Sequence, residues 1–444
     1  MRNLCNLINL STGRSFLWLT LGFGVCTTNT SLAEEFSFDV SAYQKAPYEL
    51  YGHFDLLSSH QQINSNSAFS QMTFDRPVNS VNSLASELEF NGLYRWEQSS
   101  AYFRSLSLGT KNDLPNDIPN ANSQSQHQFQ ELYWQTQLNS NWQFKAGKIA
   151  EKWGKGYAWN PVGFIERPKN PDDPELNREG FTQLSTQWTK SLNSSLQSAS
   201  ASIHLIPITS EINHKEFLPS ENWLLAGKFS GLIGTTDLDF YWRHSQQTQT
   251  DIGFSFASNL SPEFEWHGDI SYRPNQLTPE LLTDSIKLSE KSEIQTLLGF
   301  RYLTQNEVTW IVEWRYQPNK PTPSTMKQLY QLANSTQPEN LTLAKQAKSA
   351  GLLGTDTAQN SVYIKASTKD WLDILYLNAA LWGLINPDDG SSAWTAELSH
   401  SGVKNQEWRL RASLLNGSKL TEYGEKLNDA KLELRWRYFF QPNF

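Results

Sequence analysis

Cysteine is almost missing from this 444-residue chain: Cys5 and Cys26 are its only two, and none follows residue 26. That excludes a disulfide framework, a thiolate metal centre and a cysteine nucleophile from the remainder. Long apolar runs are missing too. No stretch approaches the roughly 18 consecutive apolar residues that a membrane-crossing helix needs. Basic residues are in deficit, with 37 Lys and Arg against 45 Asp and Glu, which argues against a nucleic-acid partner. Motifs of chemistry are equally scarce. There is no G-x-S-x-G nucleophile elbow, and the eight histidines are scattered. Gly147-Lys148 lacks the flanking residues of a phosphate loop, and Gly154-Lys155-Gly156 lacks a third glycine at dinucleotide spacing. Asp172, Asp173 and Glu175 sit together without the pattern of a calcium loop. The expectation is a chain with no catalytic residues, no cofactor and no metal.

The N-terminus reads as a cleaved signal peptide over residues 1–33. Arg2 and Arg14 precede a short, largely apolar run, Ser15–Cys26, and Ser31-Leu32-Ala33 offers a small-x-small cleavage site. Its removal takes away two positive charges and both cysteines, and moves the net charge from −8 to −10.

What the chain does have is aromatic residues, 17 of them Trp, in a polar background with a mean hydropathy of −0.55. They recur with a period of two. In 237–243, Leu238, Phe240 and Trp242 share one face. In 308–317, Val308, Trp310, Val312, Trp314 and Tyr316 oppose Glu313 and Arg315. In 84–96, Leu84, Leu88, Phe90, Tyr94 and Trp96 oppose Glu87, Glu89 and Arg95. A period of two means strands that are apolar on one side only. Eighteen such segments can be drawn between residues 48 and 440, with 16 as the alternative count. Their connections alternate between short turns, such as Gly234–Thr235, and long ones, near 59–83, 109–126, 149–180, 207–222, 274–292, 318–360 and 415–430. Two long connections carry helix signals: Thr278-Pro279-Glu280-Leu281-Leu282, with a capping Thr before Pro, and 338–350, stopped by Gly351.

Alternation, connection lengths and a final strand running Leu432, Leu434, Trp436, Tyr438, Phe440 to a terminal Phe444 resemble Gram-negative outer-membrane β-barrel proteins of porin type. A pattern after the fifth strand, "G-K…W-G-x-G…N-P", is similar to that of alginate-export-like and other porin-like barrels. The resemblance implies an all-β, closed antiparallel transmembrane barrel over 34–444. It implies a bacterial outer-membrane location and a passive channel for small hydrophilic solutes. Tyr438, Phe440 and Phe444 would form the signal read by the barrel-assembly machinery. Outer-membrane lipid and lipopolysaccharide would surround the barrel, and a homo-oligomer is compatible with it. The competing reading is a non-transporting barrel that serves as a scaffold for a periplasmic or surface partner.

In such a barrel the polar face of each strand looks into the lumen. Asp237, Arg243, Glu265, Arg273, Glu313, Arg315, Glu433, Arg435 and Arg437 are the expected lumen wall, where charge escapes the penalty it would meet in lipid. Residues 149–180 stand apart. They are too apolar for a solvated tail, with Trp153, Tyr157, Trp159, Val162, Phe164 and Ile165, and are stiffened by four prolines. They form the third long connection, and in porins that loop folds inward and narrows the pore. Lys152, Lys155, Arg167, Lys169, Asp172, Asp173, Glu175 and Arg178 are the expected constriction residues. With Glu151, Glu166 and Glu179 the segment counts five basic and six acidic groups, which gives no preference of sign.

Overall fold

The computed structural model describes residues 46–74, 76–114, 123–173, 178–213, 222–245 and 249–441. The segment expected to be a signal peptide, Glu175 and Phe444 lie outside the described residues.

From Pro47 the chain is one unit. Eighteen antiparallel strands form one sheet, and each pairs with its neighbour in sequence. In order they are β1 (Tyr48–Ile63), β2 (Ser80–Trp96), β3 (Ser99–Asn112), β4 (Ser123–Gln137), β5 (Trp142–Ile149) and β6 (Phe181–Ser191). Next come β7 (Leu196–Pro207), β8 (Trp223–Ile233), β9 (Thr236–Ser245), β10 (Asp251–Asn259), β11 (Phe264–Leu281) and β12 (Ile286–Leu303). The last six are β13 (Thr309–Tyr316), β14 (Asn360–Thr368), β15 (Leu377–Asn386), β16 (Ser391–His400), β17 (Gln406–Asn416) and β18 (Asn428–Phe440).

The sheet closes on itself where β1 meets β18, with Phe54 opposite Tyr438, Leu56 opposite Trp436 and His60 opposite Leu432. Closure leaves no unpaired edge, the condition hydrocarbon imposes on any sheet that crosses it. The alternation places Leu84, Leu88, Phe240, Ile270, Leu432 and Leu434 on the exposed outer face. Trp96, Trp134, Trp142, Trp310 and Trp408 are exposed near the short-turn ends of their strands, and Tyr272, Trp314 and Trp394 toward the other end. An apolar band with aromatic girdles around a polar interior is the membrane-spanning architecture of the bacterial outer membrane. Among the described residues no helix is long and apolar enough to cross a membrane.

Three helices occupy the long-connection end: α1 (Ala68–Thr73), α2 (Pro323–Ala333) and α3 (Pro338–Ser349). α3 matches its expectation. α2 begins with Thr322, whose hydroxyl accepts from the Thr325 N–H at 3.3 Å, and with Pro323 in the first turn. The three pack through Ala68, Met72, Met326, Leu329, Tyr330, Ala344 and Ala347.

One expectation fails. Residues 274–292 are not a long connection, and Thr278–Leu282 is not a helix start. β11 and β12 continue as a hairpin in which Pro279 lies opposite Leu288 and Leu281 opposite Ile286. A register shift between Arg273 and Gln276 marks where this extension begins.

Candidate functional site: the segment across the barrel

Ile149 ends β5 and Phe181 begins β6; the residues between them reach inward-facing groups on strands far from either root. Gly154 N–H donates to the Tyr241 hydroxyl on β9 at 3.1 Å. Lys155 N–H donates to Asp269 Oδ1 on β11 at 3.0 Å. Ala158 N–H donates to Glu313 Oε2 on β13 at 2.8 Å, and Tyr157 N–H donates to the other oxygen of that carboxylate. Wall cations hold the segment's carbonyls: Arg243 Nη1 reaches Phe164 O at 3.2 Å and Arg273 Nη2 reaches Pro161 O at 3.1 Å. Arg104 on β3 holds Arg178 O at 3.0 Å.

The local sequence explains the path. Gly154 adopts φ +91°, and a Cβ there would lie 2.8 Å from Asp269 Oδ2. At Gly156 a Cβ would lie 2.4 Å from Trp159 O. Gly154 therefore lets backbone N–H groups approach a wall carboxylate that a side chain would push away, and Gly156 lets the segment turn tightly against its own Trp159 carbonyl and Leu297. Two apolar clusters flank this contact. Trp153, Val162, Phe164 and Ile165 pack against Ile206, Leu224 and Tyr241. Ala158 and Trp159 pack against Leu297, Ile311, Tyr363 and Trp382.

The expected lumen-wall residues divide in two. Glu313 is fully buried and is spent on the segment's backbone, also accepting from His267 Nε2 at 2.9 Å. Arg243 pairs with Asp251 as well as holding Phe164 O. Arg273 lies over the Phe164 ring, and Arg315 over the Trp159 ring at 4.5 Å while pairing with Asp356. Asp356, in the β13–β14 connection, is pushed up by burial, yet Arg315 beside it brings its carboxyl net below the ordinary value. Glu265 accepts from the Tyr157 hydroxyl at 3.3 Å and pairs with Arg301. Asp237 keeps an exposed carboxylate 3.9 Å from Lys155 Nζ. Away from the segment, Arg437 makes a two-pronged bond to Asp55 at 2.7 Å, Arg435 pairs with Glu407 at 3.0 Å, and Glu433 with Lys431 at 2.8 Å. Tyr438 is on the outer face and Phe440 packs near Phe90.

Within the segment, the acidic groups are largely consumed. Glu166 accepts from Trp153 N–H at 2.9 Å and pairs with Arg178. Glu179 pairs with Lys148 and Arg167. Asp173 reaches Arg411 on β17 at 3.6 Å. Asp172 is exposed to the lumen, yet desolvation by the protein around it raises its carboxyl above the ordinary value, against the pull of Arg411, Lys431 and Lys426. Burial likewise lowers the Lys169 ammonium, which donates to Gly156 O.

Beside the segment lies an open cavity of about 760 Å³, walled by Arg104, Glu131, Ile311, Tyr363 and Lys365 and by segment residues including Lys152, Lys155, Lys169 and Arg178. Six of its lining side chains are basic, and two, Glu131 and Glu151, are acidic. Asp269 was expected to face the lumen, whereas Arg104 and Tyr241 were not singled out; nothing local marks any of the three as a partner of a loop.

Among the described residues one cluster has metal-binding spacing, His53, Asp55 and Glu87. Both Asp55 oxygens already accept from Arg437, a donor set that favours a salt bridge over a cation.

Solved structures share this architecture. A BenF-like porin from Pseudomonas fluorescens Pf-5 matches with a TM-score of 0.51 at 8% identity, over 89% of this chain and 99% of that one. The chain folds as an outer-membrane porin does. OccAB4 of Acinetobacter baumannii matches this porin fold with a TM-score of 0.50 at 8% identity, over 90% and 99% of the two chains. OccK2 (OpdF) of Pseudomonas aeruginosa, solved in complex with glucuronate, gives 0.50 at 8% identity, over 89% and 98%. No family model and no curated protein sequence matches the chain.

Proposed function

We propose that this protein is a passive outer-membrane channel for small hydrophilic solutes, with residues 149–180 as its constriction. The observation that carries the reading is the aperture of about 760 Å³ left between the segment and the wall of β3, β4, β13 and β14. Its lining supports a preference for anions, since Glu166 and Glu179 are turned into ion pairs while six basic side chains, Lys152 and Lys169 among them, face two acidic ones, Glu131 and Glu151, around the space. Fixed charge at a narrow point biases which ions pass. Passage needs no bond-making step, in keeping with the porin fold, and the reading assigns no catalytic residue. That OccK2 was solved with glucuronate is a property of that protein; here it makes a hydroxylated anion a reasonable first solute to try.

The test is deletion of residues 160–175, with barrel closure checked by heat-modifiable migration and single-channel conductance read in planar bilayers. Conductance should rise and selectivity weaken. A closed barrel with unchanged conductance and selectivity would sink the constriction.

A scaffold reading has one observation on its side. The β14–β15 turn exposes Trp371, Leu372, Ile374, Leu375 and Tyr376 at the short-turn end. A wild-type barrel that closes but carries no current would favour it.

A further inference from the structure

A second cavity, of about 130 Å³, lies on the short-turn side of the segment's root, against the wall of β5 to β8. We infer that it is a binding recess for an oxyanion carried on a hydroxylated skeleton.

Three ammonium groups converge there, from Lys145 on β5, Lys152 at the segment's root and Lys228 on β8. Lys145 and Lys152 have no carboxylate at ion-pair distance among the described residues; Lys145 Nζ stands 5.9 Å over the Tyr133 ring and, like Lys228, acts at longer range on Glu151. Lys228 shares Asp239 with Lys155, at 3.3 and 3.0 Å. Elsewhere in this lumen many cations are capped by carboxylates or carbonyls, as Arg437 is by Asp55 and Arg273 by Pro161 O, so lysines left open beside a cavity stand out within the same molecule. Trp153 and His204 also line it, and six more lining side chains are hydroxyl or amide: Ser185, Ser200, Ser202, Ser230, Gln143 and Gln187. These groups both donate and accept, which suits the hydroxyls of a carbon skeleton, while ammonium groups suit the anionic head.

Glu151 is the one carboxylate in the lining, 3.7 Å from His204 Nδ1. Burial raises its carboxyl above the ordinary value, which weakens its opposition to a bound anion. The volume fits the ligand class. One water occupies about 30 Å³ of liquid, so the space holds a phosphate or carboxylate head with part of its skeleton. Glu151 and Lys152 also line the larger aperture, so the two cavities adjoin at the segment's root. A solute leaving the aperture would meet this recess next; that role along the path rests on the channel reading, whereas binding does not.

The experiment is isothermal titration calorimetry on the full detergent-solubilised barrel with inorganic phosphate, gluconate and sorbitol as probes. Phosphate, gluconate or both should bind, and sorbitol should not; which anion binds identifies the head group. The double substitution Lys145→Gln, Lys152→Gln should weaken anion binding at least tenfold. Ser200→Glu, which places a carboxylate on the opposite wall, should give the same loss without touching either lysine. Closure of each variant is checked by heat-modifiable migration. The inference is overturned if the wild type binds neither anion, if sorbitol binds as well as gluconate, or if closed variants bind like the wild type. Wild-type conductance is measured separately. Anion binding without conductance would remove the channel reading and leave the recess; conductance without binding would do the reverse.

Discussion

Glu313, in the middle of β13, accepts hydrogen bonds from the consecutive backbone N–H groups of Tyr157 and Ala158, and is fully buried while doing so. A bond to a buried charge contributes roughly 1.5–3 kcal/mol, and removing the acceptor leaves the donors unsatisfied. Glu313→Ala should therefore free the centre of the segment while the closed sheet persists. Single-channel recordings should show higher and noisier conductance than the wild type. Records that match the wild type would mean that the apolar clusters alone hold the segment.

Gly154→Val combines two faults: an L side chain at φ +91°, and a Cβ 2.8 Å from Asp269 Oδ2. The N–H contacts to Tyr241 and Asp269 should be lost together. The expected outcome is the same noisy conductance, with cleavage by added protease within 150–180 that the wild type resists. A resistant variant would show that the turn tolerates a side chain.

Lys152 lines the aperture with no ion-pair partner among the described residues, so Lys152→Glu changes its charge without breaking a pair. Reversal potentials in a KCl gradient should move toward cation preference. An exposed reference change, Lys404→Glu in the β16–β17 turn, should move them far less. Equal shifts would argue that overall charge, and not the lining, sets selectivity.

The Asp172 side chain is exposed to the lumen, yet the protein that surrounds it raises its carboxyl above the ordinary value, so the folded chain holds its proton more tightly than the unfolded chain does. The stability this gives is fully present below the unfolded value and is lost as pH rises through the folded one. Asp172→Asn mimics the protonated form at every pH. The variant should match the wild type in thermal midpoint at about pH 3.5, below the unfolded carboxylate value, and exceed it at pH 8. A midpoint difference that does not change with pH would show that the carboxyl is solvated.

Leu329 is fully buried where α2 meets α1 and α3. Leu329→Ala should cost about 2–5 kcal/mol locally. Proteolysis of the β13–β14 connection should accelerate while the barrel keeps its heat-modifiable migration. Loss of that migration would show that the helices are needed for closure.

The barrel was legible in the sequence because a lipid-facing strand must be apolar on every second residue, and that demand is local. Trp310, Val312 and Trp314 announce their face without knowledge of any neighbour. The failure at Thr278–Leu282 has the opposite cause. A capping Thr before Pro is a fair helix signal, but pairing with Ser289 and Leu288 across a hairpin overrode it. The charge balance of the segment was hidden for a similar reason. A count of five basic and six acidic groups treats Glu166 and Glu179 as available, whereas the folded segment spends both on Arg178, Arg167 and Lys148. Asp269 and Tyr241 could be read as inward-facing, yet their contacts span about a hundred positions of sequence, which no local pattern encodes.

The wall grips the crossing segment mainly through peptide groups. Asp269, Glu313 and Tyr241 hold the N–H of Gly154, Lys155, Tyr157 and Ala158, and Arg273 and Arg243 hold carbonyls. Every residue carries a carbonyl, and every residue but proline an N–H. Anchorage and lining are thus largely separate jobs: side chains such as Lys152 can be exchanged by mutation while the clamp stays in place. A protein built this way can drift toward a new solute by single substitutions, without first passing through a barrel whose loop has come loose.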